Sequence, residues 1–365
     1  MIKKPLIVLA SLLMLVAASQ DVCAHNQETP TPAKPQAAFE YADTVAKKVE
    51  LSRHTFERKL MGTGCVITVY ADNEKEARAS ADAAFKEMAR LESVMSDYIQ
   101  SYPDSELLQL AKFASANPDE AREVSDDLWP VLLRSVKVHG VTDGAFDITA
   151  KPFTNMWRTS RERRELPPKA AVERMRPFVG MQHLVLDEEK QTARLAKAGA
   201  WLDLGGIAKG YIADRALEVL QARGLTIAQV QAGGDMALGD PPPGLKGWPI
   251  NIPDFPPRKL DNDQESETGL AFWHANGGVS VSGDAFRFVE IEGVRYSHVI
   301  DPRTGLGVTG SRYCCVKGPS AFATDAAATV GCILDQDAFE TALDNLSEIE
   351  GPLTGWRFQG KSSKP

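Results

Sequence analysis

The stretch DLGGIAKGYIAD, residues 203–214, decides how this chain is read. It runs out of a strand-like segment, AWLDL, through adjacent glycines into a helix whose stop signal is Gly224. Gly205 and Gly206 predict a turn that uses positive φ and lets a ligand approach the backbone closely. The helix start behind them offers unpaired N–H groups and a positive dipole end, so an anion belongs there. Lys209 adds a point charge suited to phosphate. Asp203 either accepts from a ribose hydroxyl or a base, or caps the turn. This is not a Walker loop, because the glycines are adjacent and no Gly-Lys-Ser/Thr follows.

Outward from that stretch the elements alternate without a strict βαβ repeat, which predicts an α+β fold. Residues 56–71 read as a strand pair, and residues 74–96 as a long amphipathic helix with Ala81, Ala84, Phe85, Met88, Leu91, Val94 and Met95 facing a core. A second helix is expected over 126–142 and short strands over 182–203. The segment IAQVQAGGDMALG runs as a strand into a Gly-Gly turn, a loop-rich stretch covers 240–270, antiparallel strands cover 279–301, and helices follow from Thr324.

Four further stretches carry chemistry. In ATDAAATVG, Asp325 and Thr329 stand four residues apart, which on a helix puts both oxygens on one face. A carboxylate with a hydroxyl suits a hard cation such as Mg2+, although Thr324 or Asp325 could equally be an N-cap. GAFDIT places the Phe146 ring beside Asp147, as a flat heterocycle requires, or as a core Phe and a turn Asp would look. YSHVIDPRTG supplies His298 ahead of a proline turn from Asp301 to Gly305. Met61 in MGTG and Tyr98 in MSDY are residues that ordinarily pack.

A net charge of −8 and a pI near 5.4 give no basic field for nucleic acid. The cluster Arg158, Arg161, Arg163 and Arg164 reads as a solvated face. Residues 1–24 read as a secretory signal peptide, two lysines followed by an apolar run and a Val22-Cys23-Ala24 cleavage site. Export to the periplasm as a soluble protein follows, with membrane association only if Cys23 is lipidated. Residues 25–54 read as a tether, 55–350 as the folded domain and 351–365 as a C-terminal tail. Cys65, Cys314, Cys315 and Cys332 lack metal-ligand spacing and read as buried small hydrophobes.

In chain order, MGT, MSDY with SEL, GAFDIT, DLGGIAKGYIAD, AGGD (232–235), SGD (282–284), SHVIDPRTG and TDAAAT follow the motifs of the ApbE family of FAD:protein FMN transferases, which this sequence resembles from about Phe56 to Leu343. The resemblance implies an ApbE-like, T-fold-related α+β domain of two lobes, with FAD in the cleft between them. It implies FAD contacts from Met61, Tyr98, Ala145, Phe146, Asp147, Asp203, Lys209, His298 and Ile300. Magnesium would be held by Asp325, Thr329 and a backbone oxygen near Gly206. The implied reaction moves FMN from FAD to a threonine of an exported or membrane-bound flavoprotein, with His298 as base, Lys209 on the phosphates and AMP leaving. A hydrolase splitting FAD with water and a flavin-binding protein without chemistry stay open. Gln231 replaces the usual Asn before AGGD, and the metal-helix motif reads ATDAAATVG rather than an Ala-Asp-Ala opening.

Overall fold

The computed structural model describes residues 50–252, 269–284 and 287–359. The predicted signal peptide, Cys23 and most of the tether lie outside the described residues. The described residues open with a hairpin, β1 (Ser52–Leu60) and β2 (Thr63–Ala71), then α1 (Glu74–Met95) and α2 (Glu106–Ala116). After β3 (Arg122–Glu123) come α3 (Trp129–Val141), α4 (Lys151–Arg163) and α5 (Lys169–Met175), then β4 (Leu184–Asp187) and β5 (Thr192–Leu195). Helix α6 (Ala208–Ala222) leads to β6 (Ala228–Ala232), β7 (Asp235–Leu238), β8 (Trp248–Ile252) and β9 (Leu270–His274). Next are β10 (Gly277–Gly283), β11 (Phe288–Ile291), β12 (Val294–Asp301), β13 (Leu306–Thr309) and β14 (Arg312–Gly318). Helices α7 (Ala321–Ile333) and α8 (Gln336–Glu350) precede the last strand, β15 (Thr354–Gln359).

A seven-stranded sheet of order β1-β2-β6-β7-β10-β14-β15 organises the larger lobe. Every neighbouring pair in it is antiparallel. Strand alternation sends successive side chains to opposite faces. On β10, Ser280 meets Thr324 of α7 with hydroxyl oxygens 2.8 Å apart, while its neighbour Val279 joins Trp248 and Ile250 under the β8–β9 hairpin. One face thus carries α1, α6 and α7, and the other is covered by that hairpin. The predicted stripe on α1 is the stripe that packs, with Ala81, Ala84, Phe85, Met88, Leu91 and Met95 buried.

The smaller lobe joins α4 to the three-stranded sheet β11-β12-β13. Its apolar cluster holds Phe153 and Trp157 of α4 against Ile291 and Ile300. The Trp157 indole N–H donates to the Ser297 carbonyl at 2.9 Å, fixing α4 beside the strand that carries His298.

Two boundaries differ from the sequence reading. Residues 354–359 are no tail: β15 pairs with β14 from Lys317↔Thr354 to Arg312↔Gln359, and Trp356 stacks on Phe272 with ring centroids 5.0 Å apart. The folded part also starts within the predicted tether, at Ser52 of β1. The four cysteines among the described residues are buried and unpaired, and burial pushes each thiol up from its ordinary range.

Candidate active site

The DLGG turn is built without the backbone conformation the sequence predicts. Neither Gly205 nor Gly206 has positive φ; what Gly206 needs is space. A Cβ there would lie 3.2 Å from the Thr329 hydroxyl oxygen and 3.4 Å from the Phe146 ring. Glycine therefore brings the turn against α7 and against GAFDIT together. Of the two readings of Asp203, the cap holds: one oxygen accepts the Gly205 N–H at 2.9 Å and the other the Thr154 hydroxyl at 2.8 Å.

The helix behind the turn is fastened to α7. Gly210 sits where a Cβ would be 2.2 Å from the Ala321 carbonyl oxygen, so α6 and α7 cross in close contact. One turn later Asp214 accepts the N–H groups of Ala321 and Phe322 at 3.0 and 2.8 Å, sealing the start of α7. Burial raises the Asp214 carboxyl to about 6 against those two hydrogen bonds. Ser320 is the N-cap of α7, so neither Thr324 nor Asp325 serves as one. Asp325 and Thr329 do share a helix face, as predicted.

Lys209 meets carboxylates. Its ammonium lies 2.5 Å from Asp235 and 3.5 Å from Asp325, which are 3% and 1% exposed. Burial opposes the Lys209 charge, but the two carboxylates outweigh it and hold the ammonium protonated. Asp325 also accepts the Gly210 N–H at 2.9 Å. Its carboxyl is nevertheless raised, first by burial and then by Asp235. The anion drawn to this helix start is thus in part the protein's own, which corrects the picture of Lys209 as a free phosphate contact.

When both buried carboxyls are ionised, one ammonium against them leaves a local excess of negative charge, which a cation would offset. Asp325, Thr329 and Ser282, whose hydroxyl is 3.4 Å from that of Thr329, offer hard oxygen donors beside Gly206. Among the described residues no group of three or more His, Cys, Asp or Glu could close a full metal shell. This donor set fits a cation such as Mg2+, which keeps waters or substrate oxygens as further ligands.

Several expected flavin contacts are placed differently. Ala145 and Phe146 are 0% and 5% exposed within the main core, so the Phe146 ring supports Gly206 from below and is not an open stacking face. Asp147 caps the following turn, accepting from the N–H and hydroxyl of Thr149 at 2.7 and 2.6 Å. The Ile300 side chain is buried in the smaller lobe. Tyr98 is open, 57% exposed, with the Arg158 guanidinium 4.7 Å from its ring centroid. Met61 occupies the β1–β2 turn with φ of 51°, a conformation costly for a non-glycine residue.

His298 lies in a bulge, because the β12–β13 register shifts between Tyr296 and Ile300. Its Nδ1 is 3.2 Å from the Arg287 carbonyl oxygen, which can only accept, so Nδ1 carries the proton and Nε2 the lone pair. Burial, then Arg161 and Arg287, lower the imidazole to about 4. Asp301 is engaged by Arg303 at 2.8 and 2.9 Å and is tied into its turn.

Sequence reasoning missed the partners. Asp235 lies in a quoted motif but receives no role there. Arg158 is no solvated side chain: it reaches Asp97 at 3.2 Å and Asp203 at 3.7 Å, and Lys151 also pairs with Asp97.

The fold and this site define an α+β protein in which a glycine turn packs against a helix bearing an acid and a hydroxyl on one face. The chain belongs to the ApbE family, whose model matches residues 61–351. It is 31% identical over 249 residues to an FAD:protein FMN transferase of Haemophilus influenzae, covering 66% of this chain and 70% of that one. A protein of the same name from Escherichia coli is 26% identical over 299 residues, 80% of this chain and 79% of the relative. Among solved structures, the ApbE protein of Thermotoga maritima superposes with a TM-score of 0.68 at 25% identity, over 83% of this chain and 93% of that one. The flavin transferase ApbE from Vibrio cholerae gives 0.66 at 23% identity, over 85% and 97%.

Proposed function

We propose that this protein transfers FMN from FAD to a threonine hydroxyl of a partner flavoprotein, with Mg2+ at Asp325 and Thr329. The observation that carries the reading is the convergence of Gly206, Asp325, Thr329 and the Lys209–Asp235 pair in a chain of this family. The threonine oxygen forms a bond to the FMN-side phosphorus, the bridging P–O bond breaks, and AMP leaves with the electron pair. His298 Nε2, the free lone pair, accepts the threonine proton. Asp203 and Asp147 hold the turns around the cleft, and Lys209 opposes the rise that burial and Asp235 impose on the Asp325 carboxyl. Bound magnesium would supply charge neutralisation at the phosphate oxygens. With residues 1–24 as a signal peptide, the reaction belongs to the periplasm and its target is an exported or membrane-bound flavoprotein.

Intact-mass spectrometry of a threonine-bearing acceptor domain, incubated with residues 25–365, FAD and Mg2+ while AMP is followed, tests the reading. The expected result is one FMN added per acceptor, lost with Asp325→Ala and with chelator. AMP and free FMN with an unmodified acceptor would favour hydrolysis. Intact FAD with two different acceptor sequences would leave only binding.

A further inference from the structure

Lys151, Thr154 and Arg158 stand three and four residues apart on α4, so they share one face of the helix. That face holds two loops at once. Lys151 and Arg158 both pair with Asp97, Arg158 at 3.2 Å, while Thr154 and Arg158 reach Asp203 of the glycine turn at 2.8 and 3.7 Å. Asp97 directly follows Ser96, the residue that ends α1, and directly precedes Tyr98. Trp157 pins the same helix to the Ser297 carbonyl, so the gripping face has a fixed backing.

Two cations and two carboxylates balance within this cluster, and its inner pair is deeply buried: the Lys151 side chain is 3% exposed and that of Asp97 9%. Burial opposes the Arg158 charge, but Asp203 and then Asp97 outweigh it and raise the guanidinium above its ordinary range. Buried ion pairs contribute little net stability, and their best-attested use is to fix register. Here the register is that of Tyr98. The Arg158 guanidinium lies 4.7 Å and the Lys151 ammonium 5.9 Å from the centroid of its ring, yet the residue remains open to solvent. The turn that carries it is closed by Ser101 and Tyr102, whose N–H groups donate to the Tyr98 carbonyl at 3.1 and 2.9 Å. An aromatic ring held by cations and still open is a platform on which a flat ring stacks.

We infer that Arg158 is a positioning residue for the flavin end of the site: through Asp97 on one side and Asp203 on the other, it sets the Tyr98 ring at a fixed spacing from the glycine turn. The inference rests on the FAD reading above. Arg158 touches no substrate in this role. It acts through Tyr98, and its fork suits the task because one planar guanidinium can serve two carboxylates while lying over a ring.

The test measures FAD binding by flavin fluorescence, and amide hydrogen exchange, on the full chain and on Arg158→Gln, Arg158→Lys, Asp97→Asn, Tyr98→Ala and the double variant Tyr98→Ala with Arg158→Gln, each checked for cooperative unfolding. Arg163→Gln, exposed on the same helix, controls for net charge. Arg158→Gln should weaken FAD about tenfold. Arg158→Lys should recover part of that loss, because an ammonium keeps a charge at the ring but lacks the fork. In Tyr98→Ala there is no ring to set, so adding Arg158→Gln should cost less than about twofold. The amides of Ser101 and Tyr102 should exchange faster in Arg158→Gln and Asp97→Asn, and at the wild-type rate in Arg163→Gln. A folded Arg158→Gln protein with wild-type FAD affinity, or an equal loss with and without Tyr98, would overturn the inference. So would exchange at Ser101 and Tyr102 that ignores both Arg158 and Asp97. Wild type that binds no FAD sinks the flavin reading instead, and the exchange rates then decide whether the clasp exists on its own.

Discussion

Asp325 of α7 accepts the backbone N–H of Gly210 of α6 at 2.9 Å, so the candidate cation ligand is tied to the helix that follows the glycine turn. The tie needs a glycine. At residue 210 the two helices leave no room for a methyl group, and a Cβ would also lie 2.9 Å from the Asp325 Cβ.

Gly210→Ala should therefore push α6 and α7 apart, with a loss of about 1–3 kcal/mol from overpacking. Denaturant unfolding measures that cost, and Mg2+ titration followed by calorimetry should show weakened binding. Wild-type stability and Mg2+ affinity together would show that the helix contact is not needed.

Asp214 gives a pH signature of known sign. Its folded carboxyl is raised from 3.8 to about 6 by burial, so the folded state holds this proton more tightly than the unfolded state does. The contribution is full below the unfolded value and is lost as pH rises through the folded value. Unfolding of wild type and Asp214→Asn across that window should show wild type losing ground to the variant as pH rises, then a constant difference. Asp214→Ala, which leaves the Ala321 and Phe322 N–H groups at the start of α7 without their acceptor, should cost about 0.5–2 kcal/mol at neutral pH.

Met61 predicts opposite effects on stability and binding. Its φ of 51° is relieved by glycine, so Met61→Gly should raise stability by about 1 kcal/mol. If Met61 contacts flavin, FAD affinity should fall in the same variant. A loss of stability would mean that the side chain, partly buried against the main core, outweighs its backbone strain.

His298 should answer to its neighbours. Burial comes first in lowering it to about 4, and Arg161 and Arg287 follow. Removing a nearby positive charge favours the imidazolium, so Arg161→Gln should raise the His298 value, as read by NMR titration of its ring protons. An unchanged titration would place Arg161 too far away to matter.

What the sequence disclosed was local. The α1 stripe follows from helical periodicity, and the shared face of Asp325 and Thr329 from a spacing of four. The partners of the site were not legible, because they depend on chain crossings. Lys209 meets Asp235 across 26 residues, and Arg158 meets Asp97 across 61. The glycine pair was visible, but its cause was not: the sequence pointed to positive φ, whereas crowding by Thr329 and Phe146 decides residue 206. Strand β15 passed as a tail because a short segment reveals its pairing only when β14 lies beside it.

The strand order places β1 and β15, the first and last strands among the described residues, at the two rims of the large sheet, with β7 and β10 adjacent in its interior. Rim strands can open without breaking an interior ladder, so their amides should exchange with solvent sooner than those of β7 and β10. Asp235 belongs to β7, and β10 supplies Ser280 and Ser282 to the face that carries α7. Fraying at either rim should therefore leave Asp235 and Ser282, and the α7 face they meet, on interior strands that stay closed.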